Sequence, residues 1–453
     1  MSTQALAQNI VNTKFNNLSQ DTVEATKKSI LDILGVMLPP TTLVKTCLSV
    51  YELVSEAGGK PESTIVGFGG KAPCWEAAFV NGSLCHAIDF DDCVGLEKPL
   101  MHPTGSSFPA ALAITERVGN VTGKDFITAV TLGNDLSVRL ASCPNANVIF
   151  GYPFFPITTF GVFAATAVSG KLLGLSESQT VNALGLALNR VSGVTKGLFG
   201  SDLRAIRDGI NGKEGVMCAL LASKGMDACK NAVELLFSLY YKDDVTIENL
   251  TKDLGKHFRG SEVGFKPWPS CQGTHSYIQA IINIVNEHNI LPEQVEEIIL
   301  HGNTEGEGLF YPSEIKQKPT TSITAKVALP FAVSVAVVHK SVSISNFLPE
   351  NLSDSKVLEL AKKVKFVLEP ERGSYSSRAE LKTKDGKLFN FSVDVLRGSI
   401  QNPLSTDELI SKFKDCARYA RKPMSASNID RLIDNILNLE KVKEMSEITK
   451  LLS

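Results

Sequence analysis

Apolar residues recur at helical spacing through most of the first 258 positions. Behind Ser19-Gln-Asp-Thr, the residues Val23, Ile30, Ile33, Leu34 and Met37 mark one face of a helix that Pro39-Pro40 ends. Thr122-Gly-Lys-Asp125 and Ser176-Glu-Ser-Gln179 are capping-box starts, in which a hydroxyl accepts from a free backbone N–H and the later side chain reaches back. The runs behind them, TAVTLGNDLSVRLAS and VNALGLALNRVSG, are rich in Ala, Gly and Leu. Such small-residue helices are expected to be buried and to let their neighbours approach closely.

The texture changes after Gly264. FKPWPSCQGTH is dense in proline and polar residues and reads as a linker or a functional loop. SYIQAIINIVNEHN is helical, VEEIILHGN is a short β-type run, and Leu329 to His339 is a buried helix. VKFVLEP and RAELKTKDGKLFNFSVDV are strands, the second a hairpin with a tight primed turn across Asp385-Gly386. After Asn402-Pro403, the capping box Ser405-Thr-Asp-Glu408 returns the chain to helix. The organisation expected is a helical block over 1–262, an α+β block over 263–400, and a helical return over 401–453.

A chain of 453 residues exceeds what one hydrophobic core usually organises. Its formal net charge of -2 gives no whole-chain attraction to nucleic acid or to an anionic membrane. An anionic substrate must therefore be attracted by local Lys and Arg. Nine dispersed cysteines without a CxxC pair read as reduced thiols of a cytoplasmic protein. The N-terminus has no basic stretch before an apolar core, and the longest apolar run, Leu329 to Val338, is far below the ~20 residues that span a bilayer.

The densest polar cluster is Asn81-Gly-Ser-Leu-Cys-His86-Ala-Ile-Asp89-Phe-Asp91-Asp92-Cys93, followed by His102-Pro-Thr-Gly-Ser106. It lies between apolar stretches, and carboxylates and imidazoles in such a setting are costly unless paired. A helical segment would put His86 and Asp89 on one face, with HPTGSS as a loop leading into the helix SFPAALAITERV. Three readings stay open on the residues alone. Asp91 and Asp92 cap a helix end while the histidines satisfy backbone groups; His and Asp ligate a divalent metal; or a carboxylate orients a histidine for acid/base work near neutral pH. Two further segments bear on the site. Lys196 to Lys213 holds Lys196, Arg204, Arg207 and Lys213 among glycines without forming a phosphate loop, and Arg suits bidentate capture of a carboxylate. Lys266-Pro-Trp-Pro-Ser-Cys271-Gln-Gly-Thr274-His275 sets a cation, a thiol, a hydroxyl and an imidazole at the inferred domain junction.

NGSLCHAIDFDD followed by HPTG resembles the signature of the MmgE/PrpD family. TGKDFITAVTLGNDLSVRL, KLLGLSESQTVNALGLA, LRAIRDGINGKEGVMCALLASKGM and VGFKPWPSC extend the resemblance over nearly the whole chain. The family includes 2-methylcitrate dehydratases, cis-aconitate decarboxylases and iminodisuccinate epimerases. The resemblance implies a mainly α fold, with a large all-helical domain from the N-terminal half and the C-terminal tail, and an inserted α+β lid. It also implies a homodimer, a cleft site between the domains, and neither metal nor organic cofactor. By position, Asp89 and His102 match polar residues that face the substrate in the family's decarboxylases. Lys266 matches the lysine of the FK-x-(aromatic)-P motif, and Tyr311 a lid tyrosine. The chain departs from the decarboxylases at Cys93 (threonine there), Phe155 (histidine), Arg204 (lysine) and Cys271 (histidine). Those changes remove two imidazoles and replace an amine with a guanidinium, which argues against itaconate-forming decarboxylation.

The expectation is therefore a cofactor-independent lyase that transfers a proton α to a carboxylate of a small di- or tricarboxylate. A dehydratase or hydratase of a 2-methylcitrate-like acid stands first; a cis-aconitate-type decarboxylase or iminodisuccinate-type epimerase follows. His102 is the expected acid/base, oriented by Asp89, with Lys266 or Tyr311 as a second proton donor. Arg204, Lys196, Cys93, Cys271 and His275 are expected to bind substrate. A non-catalytic or metal-dependent member is the alternative from another class.

Overall fold

Ser19, Thr122, Ser176 and Ser405 each accept a hydrogen bond from a backbone N–H at a helix start, and the last three complete reciprocal capping boxes. These caps satisfy donors that have no partner inside the helix. The computed structural model describes residues 1–94, 101–145, 154–194, 201–373 and 375–452. The chain divides into two units. One holds Met1–Ala87, Asp91–Val263 and Ser405–Ser453; the other holds Ile88–Phe90 and Gly264–Leu404.

The first unit is helical: α1 (Ser2–Asn12), α2 (Gln20–Val36), α3 (Lys45–Ala57), α4 (Cys74–Cys85), α5 (Pro103–Val118), α6 (Gly123–Ala141), α7 (Pro156–Leu172), α8 (Glu177–Leu188), α9 (Leu203–Ser223) and α10 (Ala232–Tyr241). In α7 every residue from Pro156 to Gly170 is buried, as befits a helix that is apolar or small all round. α9 packs against α4 and α7, and α7 packs in turn against α5 and α6. The crossing of α4 and α9 depends on glycine. A Cβ on Gly82 would stand 2.6 Å from the Gly209 Cα and 2.7 Å from the Asp208 carbonyl oxygen. Arg139 of α6 is fully buried; its Nε lies 2.7 Å from Asp135 Oδ2, and it donates to the carbonyls of Leu250, Lys252 and His257.

The second unit carries α11 (His275–Glu287), β1 (Val295–Gly302), α12 (Thr304–Phe310), α13 (Leu329–His339), α14 (Ser355–Ala361), β2 (Val364–Leu368), β3 (Ser377–Thr383) and β4 (Leu388–Val393). The sheet order is β2-β1-β3-β4. β1 and β2 are parallel, joined through the helices between them, and the other pairs are antiparallel. α11 covers β3 and β4, so β3 alternates buried and more exposed positions. The turn between β3 and β4 corrects the two-residue primed turn expected. Thr383 pairs with Lys387, the Gly386 amide donates to the Thr383 carbonyl, and only Gly386 of the turn has positive φ, at 85°. This is the three-residue hairpin in which glycine takes the left-handed position.

The chain then returns to the first unit as α15 (Thr406–Ala417) and α16 (Ala426–Leu437), both packed on α2. Lys412 of α15 meets Asp32 of α2 at 2.6 Å with both side chains buried. Among the described residues no cysteine forms a disulfide, and seven of the nine are buried. Among the described residues no single helix is long and apolar enough to cross a membrane.

Candidate active site

α4 stops at Cys85, and His86 adopts the terminal conformation. The chain then turns through Asp89, whose φ of 55° places it in the left-handed region that Asp tolerates better than most residues. The segment is not helical, so the shared face expected for His86 and Asp89 does not exist. The turn brings Asp91 back under the end of α4. His86 Nδ1 lies 2.8 Å from Asp91 Oδ1 and 3.0 Å from Oδ2. α5 begins at Pro103, so the HPTGSS segment is its first turns rather than a loop, and His102 is the residue before it.

His102 is 6% exposed. Its Nδ1 donates to the Asp92 carbonyl at 2.5 Å and lies 3.1 Å from Asp91 Oδ2. Both neighbours are acceptors, so Nδ1 carries the hydrogen and the lone pair of the neutral ring is on Nε2. Among the described residues Nε2 of His102 has no hydrogen-bond partner. The carboxylate beside His102 is thus Asp91, not Asp89, which corrects the sequence expectation. The two imidazoles are 4.8 Å apart between centroids, and Arg204 Nε donates to His86 Nε2 at 3.3 Å. His86 is a link between Arg204 and Asp91.

Asp92 is fully buried, and its carboxyl is pushed well above the usual range, chiefly by burial, with the neighbouring Asp91 charge adding to it. Thr104 donates its hydroxyl to Asp92 Oδ2 at 2.5 Å, and Asn134 donates to the Thr104 hydroxyl at 2.9 Å. The Asp92 carboxyl therefore fastens the first turn of α5, a part of the structural reading that survives.

The ligand atoms of His86, Asp91 and His102 all lie within 4.8 Å of one another, a spacing that could hold a metal ion. The proton positions fit a hydrogen-bond network better. Nδ1 of His102 must carry hydrogen to bond a carbonyl, and Nε2 of His86 already accepts from a guanidinium.

The remaining candidates divide by unit. In the second unit, Lys266, 3% exposed, holds Asp89 Oδ1 at 2.6 Å, and Lys326 donates to the Ile88 carbonyl at 2.8 Å. These two lysines fix the three-residue segment Ile88–Phe90. Asp89 is consequently engaged by Lys266, a pairing that spacing did not reveal because 177 residues separate them. His275 is buried and faces the Ser270 carbonyl from Nε2 at 3.2 Å, with Trp268 packed at its edge. It is an interior histidine engaged by these two neighbours. Tyr311 is 49% exposed, its ring edge against Phe310, and its hydroxyl bonds neither Asp89 nor Lys266. Cys271 is half-buried, and its amide donates to the Lys326 carbonyl. In the first unit, Cys93 is buried with its thiol 3.8 Å from the Val94 carbonyl. Lys196 lies outside the described residues. Sequence reading offers Asp91 only as a helix cap or support and Arg207 only as one of four cations, and it does not mark Lys326. The adjacent pair Asp91-Asp92 carried the signal, but choosing between its two carboxylates needed the chain reversal at Asp89.

Residues 4–240 match the family model described as the MmgE/PrpD N-terminal domain, and residues 268–438 match the MmgE/PrpD C-terminal domain. The chain is 26% identical to a cis-aconitate decarboxylase of Mus musculus, with 99% of this chain and 93% of the other covered. Its likeness to a cis-aconitate decarboxylase of Homo sapiens is also 26%, over 99% and 94%. A third, from Aspergillus terreus, is 22% identical over 86% and 83%.

Proposed function

The chain belongs to the MmgE/PrpD family, and from that premise we propose that this lyase moves a proton at the carbon next to a carboxylate of a small polycarboxylate, with loss of CO2 from a cis-aconitate-like acid as the first reaction to test. The observation that carries the reading is His102: its Nδ1 is tied to two acceptors and its Nε2 is unspent. That is the arrangement of a general acid/base whose tautomer is set by its neighbours. In such a decarboxylation the bond to one carboxylate breaks and CO2 leaves. The electron pair forms a new double bond, and the former alkene carbon, α to a second carboxylate, takes a proton from protonated His102. Solvent then restores that proton. Asp91 stabilises the imidazolium while it exists, and Arg204 holds His86 in place against Asp91.

The full-length relatives move decarboxylation ahead of dehydration. Dehydration of a 2-methylcitrate-like acid remains the second reading, favoured by Arg204: a guanidinium holds its proton and suits charge stabilisation rather than proton delivery.

The test offers cis-aconitate and 2-methylcitrate to the purified protein and follows CO2 release and double-bond absorbance separately. His102→Ala is expected to abolish turnover with its melting temperature unchanged. Full activity in that variant overturns the reading, and loss of wild-type activity on chelation transfers it to a metal-dependent reaction.

A further inference from the structure

We infer that Arg207 is the residue that grips a carboxylate of the substrate, leaving Arg204 to hold His86; the inference deepens the function proposed above and rests on it. Arg204 and Arg207 lie three residues apart on α9, and so on neighbouring positions of one helix face. Arg204 directs its Nε to His86. Arg207 is placed differently. It is 3% exposed, its Nε lies 3.2 Å from Asp208 Oδ2, and its Nη2 is buried with no hydrogen-bond partner.

A guanidinium has five N–H donors and stays charged at any physiological pH. Leaving one of its nitrogens buried and unsatisfied is costly, and such a group in a folded protein calls for an explanation. Asp208 is shared and does not accept from Nη2. Ser106 already donates to its Oδ1 at 2.7 Å, and Asn211 donates to the Ser106 hydroxyl at 3.1 Å. The Phe155 ring stands 5.5 Å from the Arg207 Cζ. What remains is the Nη2 end of a planar guanidinium with no acceptor among the described residues, and a guanidinium suits a carboxylate in a two-pronged bond.

The location suits the chemistry. Ser106 belongs to the first turn of α5, the helix that His102 opens, so the bonds Arg207–Asp208–Ser106 tie the guanidinium to the element that positions the acid/base. Gly105 in that turn leaves room for Asp208; a Cβ there would stand 3.2 Å from the Asp208 carboxyl carbon. A chain of net charge -2 needs such a local cation to hold a polyanion.

The test measures calorimetric binding of tricarballylate, a saturated tricarboxylate with no double bond or leaving group, to wild type, Arg207→Lys and Arg207→Gln, alongside steady-state kinetics. Arg207→Gln should weaken binding by tenfold or more and raise KM by a similar factor, with kcat changed far less. Arg207→Lys keeps charge and bulk but not the planar fork, and should lose roughly threefold or more. It also decides the matter should the glutamine variant fail to fold. Wild-type affinity in Arg207→Lys, or no tricarballylate binding by the wild type, overturns the assignment. Arg207-dependent binding without turnover of cis-aconitate or 2-methylcitrate sinks the lyase reading and leaves Arg207 as the carboxylate ligand.

Discussion

Oδ2 of Asp91 lies 3.1 Å from Nδ1 of His102, while Oδ1 of the same carboxylate lies 2.8 Å from Nδ1 of His86. One carboxylate thus receives the ring N–H of His86 and stands beside that of His102, which donates to the Asp92 carbonyl, and no donor on it can replace an acceptor without disturbing one ring. Asp91→Asn presents an amide NH2 to one of them, which forces that ring to turn or to change tautomer. We expect kcat to fall by about 10²–10⁴-fold, the range that general acid/base catalysis contributes, with neutralisation of an orienting carboxylate at its upper end. Asp89→Asn in the same assay should fall far less, since Asp89 answers to Lys266. The reverse ranking, measured at saturating substrate with melting curves as a folding control, would return the orienting role to Asp89.

Asp92 gives a pH signature of stability. Burial holds its carboxyl protonated well above the usual range, whereas in the unfolded chain it ionises at about pH 3.9. The folded state therefore binds the extra proton, and stability contributed at this position is lost as pH rises from about 4 toward the folded value. Asp92→Asn is neutral at every pH and keeps an oxygen for the Thr104 hydroxyl. Its melting temperature relative to wild type should climb between pH 4 and pH 8. A difference that stays flat across that range would mean that Asp92 is ionised in the fold.

The helices of the first unit were legible because their signals are local. Thr122 and Asp125, or Ser176 and Gln179, lie three residues apart, and a cap needs nothing else. The site was legible in composition but not in pairing. No proline or glycine after Cys85 announces the end of α4, so extending the helical phase put His86 beside Asp89. The left-handed turn at Asp89 is held by Lys266 and Lys326, which are far away in sequence. Arg207 was visible only as one cation among four. Its difference from Arg204 is a missing partner, and a missing partner exists only once the chain is folded.

Gly82 tests how far the site depends on the contact between α4 and α9. In a helix exposed to solvent, replacing glycine by alanine gains about 0.5–1 kcal/mol through backbone entropy. At Gly82 the new methyl would meet the Gly209 Cα at 2.6 Å and the Asp208 carbonyl at 2.7 Å, and backbone atoms cannot swing aside as a side chain does. The helices would have to separate. α4 delivers His86 at its end, and α9 delivers Arg204, so separation lengthens the 3.3 Å bond from Arg204 to His86. Overpacking of this kind costs roughly 1–3 kcal/mol. Gly82→Ala should therefore lower the denaturation midpoint and, at temperatures where it is fully folded, lose more activity than its stability alone would explain. A raised midpoint with wild-type turnover would show that propensity outweighs contact here, and that the α4–α9 crossing does not set the geometry of His86.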